Sequence, residues 1–267
     1  MAALMDDRDI RISRPVGTEL FGRIEGSGPA VALVHGVGAD LGSWDRVTER
    51  LRDRFTVVRA DLRGHGRSSR IETCRMADFV GDLAATLDAA GLKTVDLVGF
   101  SLGGLIAMWF ALEHPDRINR LALLSTVAER SATERARVIE RADKVRNEGI
   151  ASVVSAAEDR WFTPAFKAKN PEKVALRLEQ LKANDLRSYA AAYRVFAEAD
   201  EGVALNRIRQ PTLVMTGEND IGSNTRMARR MHEAISGSRL VILPELRHSV
   251  LMEAPDLIAD HLLEFLK

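Results

Sequence analysis

The sequence is poor in several features that would define a protein class on their own. It has a single cysteine, Cys74, among 267 residues, so no disulfide can form within the chain and we expect Cys74 to be a packing residue. The 38 lysines and arginines equal the 38 aspartates and glutamates, which argues against nucleic acid as a main partner. No apolar run is long enough to span a membrane. We therefore expect one large α/β unit with small, soluble substrates.

The N-terminal segment, MAALMDDRDIRISRP, alternates charges with isolated apolar residues. A secretory signal needs a continuous hydrophobic stretch, so we expect none here and a cytoplasmic location. No pattern in the sequence predicts an oligomeric state.

Short apolar runs alternate with helix-type segments along the chain. The runs are AVALVHG, FTVVRADLRG, TVDLVGF, RLALLST, TLVMTGEND and RLVILPELRH. This alternation is typical of βαβ units and a mostly parallel sheet, while the earlier DIRISR and ELFGRIEG fit an antiparallel start. After RLALLST the alternation stops until Gln210-Pro211. We predict an α/β core over residues 1–128 and 206–267, with a helical cap over residues 129–205 inserted after the sixth strand.

The segment VDLVGFSLGGLIAMWFALEHP places a serine between a strand-type run and a helix-type run. Glycines stand two positions before and two positions after Ser101. A strand that turns directly into a helix strains the turning residue, and bulky neighbours would collide there, so Gly99 and Gly103 favour a nucleophile elbow. We predict Ser101 as a nucleophile; a serine-capped turn without chemistry is the alternative.

A serine nucleophile needs a general base and an acid that orients the base. Among six histidines, His248 alone follows the last apolar strand and precedes a new helix, so we predict His248 as the base. The loop GEND offers two carboxylates. We favour Asp220 over Glu218 because Asp220 lies further into the loop and can turn back over the sheet. Glu129, after RLALLST, is a further alternative.

A developing oxyanion needs hydrogen-bond donors. One predicted donor is the backbone N–H of Leu102, which follows the nucleophile at a helix N-terminus. The other is the N–H of Val37 in HGVGAD, whose glycines let the main chain approach the reacting carbon; a plain turn is the alternative. DLRGHGRS has no metal-ligand spacing, so we expect no metal there and predict that Arg63 and His65 hold loops together.

The phrase DRWFTPAF concentrates aromatic residues in a chain that has only 5% of them. We expect Pro164 to stop the preceding helix and to turn this corner toward the pocket. Trp161 and Phe162, with Phe166 nearby, would then cover the substrate, and Arg160 would meet a substrate carboxylate. In the alternative, the aromatic side chains only join the insertion to the core and Arg160 is solvated.

Taken together, HGVG, DLRGHGRS, GFSLGG, GEND and RHSVLMEAP resemble the α/β-hydrolase superfamily across essentially the whole chain. Within it, DRWFTPAFKAKNPE resembles the cap of 3-oxoadipate enol-lactonases, cofactor-free bacterial enzymes of aromatic catabolism. The resemblance implies a helical lid, a triad of Ser101, Asp220 and His248, and no cofactor. The chain departs from that family at Met108, where a glutamine is usual, and at IGSNT, where a Thr-Pro is usual. Both differences concern the substrate.

These observations predict hydrolysis of an ester or lactone through an acyl-enzyme, with 3-oxoadipate enol-lactone as a particular candidate substrate. A general carboxylesterase, a carbon–carbon bond hydrolase and a cofactor-free perhydrolase would use the same triad. A non-catalytic small-molecule receptor is the alternative from another class.

Overall fold

The computed structural model describes residues 7–267. Residues 1–6, part of the segment predicted to lack a secretory signal, lie outside the described residues. Every helix within the described part is too short or too polar to span a bilayer.

One sheet runs through the molecule. Its strands are β1 (Arg8–Ser13), β2 (Glu19–Glu25), β3 (Ala30–Val34), β4 (Thr56–Ala60), β5 (Val95–Phe100), β6 (Ile118–Leu124), β7 (Thr212–Gly217) and β8 (Arg239–Leu243). Their order across the sheet is β1-β2-β4-β3-β5-β6-β7-β8. The β1–β2 and β2–β4 pairs are antiparallel and the remaining pairs are parallel. The predicted antiparallel start and parallel continuation are confirmed.

Helices cover both faces of this sheet. The helices that flank it are α1 (Asp45–Leu51), α2 (Met76–Ala89), α3 (Leu102–Glu113), α9 (Thr225–Ala234), α10 (Val250–Glu253) and α11 (Pro255–Phe265). Alternate residues of β3 show the two layers, because Ala32 and Val34 belong to one buried cluster and Val31 and Leu33 to the other. Both faces of a parallel strand are covered in such folds, which explains the continuous apolar runs in the sequence.

The central helix α3 is almost wholly buried, since nine of its twelve residues are inaccessible. Met108 is among them and is fully buried. Cys74 is half-buried against the same hydrophobic cluster, where burial raises its thiol pKa to about 12. This placement agrees with a packing role.

Five further helices of the described chain lie between β6 and β7, and we call them the helical insertion. They are α4 (Ala132–Glu148), α5 (Val154–Trp161), α6 (Pro164–Lys169), α7 (Pro171–Lys182) and α8 (Leu186–Glu198). A buried ion pair joins the ends of the insertion, because Arg130, just before α4, donates to Asp200, just after α8, over 2.7 Å. The chain therefore leaves and re-enters the core at one place.

The corner between α5 and α6 differs from its prediction in one respect. Helix α5 ends at Trp161, before the proline, and Pro164 instead occupies the first turn of α6. Thr163 caps α6 by accepting a hydrogen bond from Phe166 N at 3.1 Å. Proline is favoured at a helix start because its fixed φ suits the first turn and its missing N–H is not needed there. Pro164 thus starts a helix and does not stop one.

Candidate active site

The predicted elbow forms between β5 and α3. Ser101 has φ of 55° and ψ of −116°, a conformation that residues with a side chain rarely adopt. A Cβ added at Gly99 would lie 2.3 Å from Gly103 O, and one added at Gly103 would lie 2.2 Å from Val34 O. Both atoms are backbone and cannot move aside. The spacing of the two glycines is therefore required by close contacts on both sides of the turn.

Three predicted residues from three separate strand ends meet at this elbow. Ser101 Oγ lies 3.2 Å from His248 Nε2, and His248 Nδ1 lies 2.7 Å from Asp220 Oδ2. Ser101 follows β5, Asp220 follows β7 and His248 follows β8, so the carboxyl ends of parallel strands bring them together. The arrangement matches the geometry in which a histidine can take a proton from a serine while a carboxylate holds its other nitrogen.

Asp220 is fixed independently of the histidine. Its Oδ1 accepts hydrogen bonds from the backbone N–H groups of Gly222 and Ser223, each at 2.9 Å, and the residue is 2% exposed. These donors lie in the IGSNT segment, so that departure from the expected pattern still supports the carboxylate. One oxygen of Asp220 is therefore held by the backbone of its own loop, and the other is left for His248.

The two alternative acids point elsewhere. Glu218 is exposed and accepts a hydrogen bond from Glu245 N at 3.0 Å. Glu129 is also exposed and pairs with Arg230 over 2.8 Å. The structure brings only Asp220, of the three weighed carboxylates, to His248.

The loop after β3 lies against the elbow. A Cβ added at Gly36 would stand 3.1 Å from Ser101 Cβ, so the absence of a side chain permits this approach. Within the described residues, the N–H groups of Val37 and Leu102 donate to no other protein atom. Leu102 is the first residue of α3, where N–H groups have no partner inside the helix. Both predicted donors are therefore without a partner in the described residues, one on each side of the approach between Gly36 and Ser101.

The histidines of the glycine-rich turns are buried. His35 Nδ1 lies 2.8 Å from Gly36 O while its Nε2 accepts from Leu62 N at 2.9 Å, which requires the neutral ring. Burial lowers the pKa of His35 to about 4 and that of His65 to about 3. Arg63 forms two hydrogen bonds with Asp82, at 2.6 and 2.7 Å. The rings of His35 and His65, which belong to two different loops, lie 5.4 Å apart, and Arg63 joins its loop to α2. His65 and Arg63 therefore hold loops in place, as predicted.

The segment that carries His248 is bound to the α5–α6 corner on several sides. Ser249 N donates to Trp161 O at 3.0 Å, and Arg247 donates to the carbonyl oxygens of Asp159 and Phe162. Four residues after Ser249, the carboxylate of Glu253 accepts from Thr163 N at 3.0 Å and from Thr163 Oγ1 at 2.7 Å. Burial raises the pKa of Glu253. We call residues 247–253 the histidine segment.

A cavity of about 2130 Å³ lies between the strand ends and the insertion. Ser101, Asp220 and His248 line it from the core side, and Trp161 and Arg160 line it from the insertion. Phe162 does not, because it is fully buried in the hydrophobic core and stacks on Phe166 at a ring distance of 5.6 Å. The substrate-contacting role predicted for Phe162 is therefore replaced by a packing role.

Several residues that line the cavity were not singled out in the sequence, and two of them are half-buried arginines. Arg141 on α4 and Arg177 on α7 line the same cavity as Arg160. Each stands in a charge-rich helical stretch, where an arginine is ordinarily solvated, so no local signal distinguished them.

The fold and the site geometry together define a class. A strained serine at a strand-to-helix turn, with histidine and aspartate from later strand ends, is the arrangement of an α/β hydrolase. Residues 29–255 match the family model of the alpha/beta hydrolase fold, so the chain belongs to this family and is a hydrolase.

Particular relatives narrow the comparison. The chain is similar to 3-oxoadipate enol-lactonase 2 of Acinetobacter baylyi, with 31% identity over 85% of this chain and 84% of the relative. It is also similar to (E)-2-((N-methylformamido)methylene)succinate hydrolase of the same organism, with 32% identity over 87% of this chain and 88% of the relative. The crystal structure of the enol-lactonase from Burkholderia xenovorans LB400 superposes with a TM-score of 0.88 at 30% identity, covering 94% of this chain and 97% of that chain.

Proposed function

We propose that the protein is a serine hydrolase that cleaves a carboxylic ester or lactone of a small molecule through an acyl-enzyme. The continuous hydrogen-bonded series from Ser101 Oγ through His248 to Asp220 carries the proposal. His248 takes the proton of Ser101 as the hydroxyl attacks the carbonyl carbon. The N–H groups of Val37 and Leu102 hold the oxyanion, and Asp220 stabilises the imidazolium.

In the second half of the reaction a water molecule attacks the acyl-enzyme. His248 removes a proton from this water, and Ser101 leaves as the free hydroxyl. The helical insertion acts as the cap of the site, with Trp161 over the acyl position. This chemistry uses only the side chains and main chain of the protein.

Within this class we propose an enol-lactone, 3-oxoadipate enol-lactone in particular, as the first substrate to test. Two proteins named enol-lactonases, one related by sequence and one by structure, support this choice. A lactone keeps its leaving hydroxyl attached to the acyl group, so ring opening and deacylation release one product. General carboxylesters are the neighbouring possibility, because the same triad accepts them.

Labelling with a fluorophosphonate tests the nucleophile. We expect intact-mass analysis to show one adduct on the wild-type protein and none on Ser101→Ala, together with loss of p-nitrophenyl acetate hydrolysis. Thermal unfolding of Ser101→Ala should match the wild type. Labelling of a folded Ser101→Ala protein, or its near-normal turnover, would refute the assignment.

A substrate panel then separates the subclasses. It contains p-nitrophenyl esters of increasing chain length, simple lactones and a carboxylated enol-lactone. A ratio of kcat/KM that favours the enol-lactone by a hundredfold or more would identify a dedicated lactonase. Preference for a neutral ester would identify an esterase and remove the enol-lactone proposal.

A further inference from the structure

Three half-buried arginine side chains of the helical insertion meet the cavity without a carboxylate partner among the described residues. Arg141, Arg160 and Arg177 belong to α4, α5 and α7, respectively, and each is half-buried. All three line the cavity that also contains Ser101 and His248. Among residues 7–267, no aspartate or glutamate forms an ion pair with any of them.

The rest of the fold treats its buried arginines differently. Arg59 pairs with Asp45 at 2.6 Å and also with Glu25. Arg63 pairs with Asp82 at 2.6 Å and Arg130 with Asp200 at 2.7 Å. Taking a charge out of water is costly unless an opposite charge compensates, which explains these pairs. Arg141, Arg160 and Arg177 lack that compensation within residues 7–267.

Arg177 is the most enclosed of the three. Its Nη1 is buried and has no hydrogen-bond partner among the described residues. The guanidinium carbon stands 4.7 Å from the centre of the Trp161 ring, which orients the group over the cavity. Burial lowers the pKa of Arg177, while the more distant charge of Asp40 raises it. Asp40 itself accepts a hydrogen bond from Gly42 N at 2.8 Å.

The other two arginines are close enough to repel each other. Burial lowers the pKa of Arg160, and the charge of Arg141 lowers it further. Arg141 donates to the Tyr193 hydroxyl at 3.1 Å. All three guanidiniums act on the hydroxyl of Tyr189, whose pKa is raised by burial and lowered by Arg177, Arg160 and Arg141. Tyr189 lines the same cavity, and its ring lies 5.6 Å from that of Tyr193, the hydrogen-bond partner of Arg141. The cavity wall beside these two tyrosines therefore carries the positive charge.

We propose that Arg141, Arg160 and Arg177 form an anion subsite, and that the substrate is an ester or lactone bearing two carboxylates. This inference rests on the proposed function, since it takes Ser101 as the reacting group. It differs in the substrate: 3-oxoadipate enol-lactone keeps one free carboxylate, because the other forms the ring ester, and the anion subsite favours an ester or lactone with one carboxylate more. The charge balance favours two carboxylates over one. The carboxylates whose charges act on Arg160 and Arg177 are those of Asp220 and Asp40, and Asp220 is already hydrogen-bonded to His248. Three guanidiniums therefore face one uncommitted carboxylate, that of Asp40, which leaves two positive charges for the substrate. Guanidinium is suited to this task because it binds carboxylates through two parallel hydrogen bonds.

The binding test uses the Ser101→Ala protein and isothermal titration calorimetry. The ligands are succinate, butyrate with the same number of carbons and one carboxylate, and dimethyl succinate with none. We expect succinate to bind at least tenfold more tightly than butyrate, and dimethyl succinate not to saturate the protein. Equal affinities of succinate and butyrate would overturn the choice of a dianion.

Variants in the same background assign the subsite. We expect Arg160→Gln and Arg177→Gln each to weaken succinate binding by about 10- to 100-fold, as loss of a charge-assisted hydrogen bond does. Arg146→Gln is the matched control: the substitution removes the same charge, but Arg146 lies on α4 outside the cavity wall. Unchanged succinate binding in both folded cavity variants would overturn the proposal, as would an equal loss in Arg146→Gln.

The two proposals fail in different ways. A protein that hydrolyses p-nitrophenyl acetate but is not inhibited competitively by succinate keeps the proposed function and loses the anion subsite. A protein that binds succinate through Arg160 and Arg177 but neither hydrolyses esters nor reacts with a fluorophosphonate keeps the subsite and loses the proposed function.

Discussion

Replacing Asp220 by asparagine tests the proposed acid while leaving its shape unchanged. Asp220 Oδ1 accepts two backbone N–H groups and Oδ2 accepts from His248 Nδ1. An asparagine can keep its carbonyl oxygen on the two N–H donors and turn its amide nitrogen to the histidine, or the reverse. The reverse orientation leaves the N–H groups of Gly222 and Ser223 without an acceptor, and the buried one, that of Ser223, alone costs roughly 1–3 kcal/mol. The first orientation is therefore expected.

That orientation disables the histidine. An amide N–H facing Nδ1 requires Nδ1 to be an acceptor, so the ring proton moves to Nε2, which lies 3.2 Å from Ser101 Oγ. A protonated Nε2 cannot accept the serine proton. In a serine protease triad the same change lowers kcat by about 10⁴-fold, equivalent to about 5.5 kcal/mol of barrier, and we expect a loss of that order here.

The assay is kcat for p-nitrophenyl acetate, with thermal unfolding as a check on the fold. Glu218→Gln is the matched control in the same loop, because Glu218 is exposed and accepts only from Glu245 N in the described structure; its kcat should stay within about twofold of wild type. A folded Asp220→Asn protein within tenfold of wild type, or the large loss in Glu218→Gln instead, would show that the acid is misassigned.

Three further predictions concern packing, the corner of the insertion and pH. Gly103→Ala should lower the unfolding free energy by about 3 kcal/mol in urea titrations, because the added Cβ would lie 2.2 Å from Val34 O. Gly81→Ala in α2 is the control: its Cβ meets only the end of the Arg14 side chain, so the change should be neutral or stabilising. Trp161→Ala should lower turnover of the preferred ester far more than turnover of a small acetate ester, and equal losses on all esters would make Trp161 a packing residue. Phe162→Ala, by contrast, should lower the unfolding free energy by about 3–5 kcal/mol, because Phe162 is fully buried. His35 stays neutral in the folded protein down to about pH 4, whereas in the unfolded chain it ionises near pH 6.5. Its neutral ring therefore contributes roughly 3 kcal/mol to the unfolding free energy above pH 6.5, and this contribution is lost as the pH falls toward 4. The difference in unfolding free energy between wild type and His35→Asn should narrow over that range, and a constant difference would contradict the buried neutral ring.

The site residues that could be predicted are those whose position in three dimensions follows from a short stretch of sequence. Gly99, Ser101 and Gly103 specify a strained turn by their spacing alone, and a residue after a parallel strand must lie at the same sheet edge as its counterparts. Asp220 and His248 are placed by this rule, although they are far apart in the chain. The sheet topology follows from the same alternation of strands and helices.

The insertion was less predictable because no sheet constrains it. Arg141 and Arg177 stand in helices rich in charge, and which face of such a helix meets a cavity depends on how the helices pack. Phe162 and Trp161 are adjacent, yet one is in the core and the other at the cavity wall. Pro164 shows the same ambiguity, since a proline between two helices fits the end of one or the start of the next.

The attachment of the histidine segment to the α5–α6 corner restricts how this enzyme can acquire new substrates. Four hydrogen-bonding residues, Arg247, Ser249, Glu253 and Thr163, tie the part that shapes the pocket to the part that holds the proposed base. Arg247 and Ser249 donate to main-chain carbonyl oxygens, which any insertion has, so they demand only that the backbone follow the same course at residues 159–162. Helices elsewhere in the insertion can change, and the substrate range with them, as long as this corner keeps its path and residue 163 keeps a hydroxyl for Glu253.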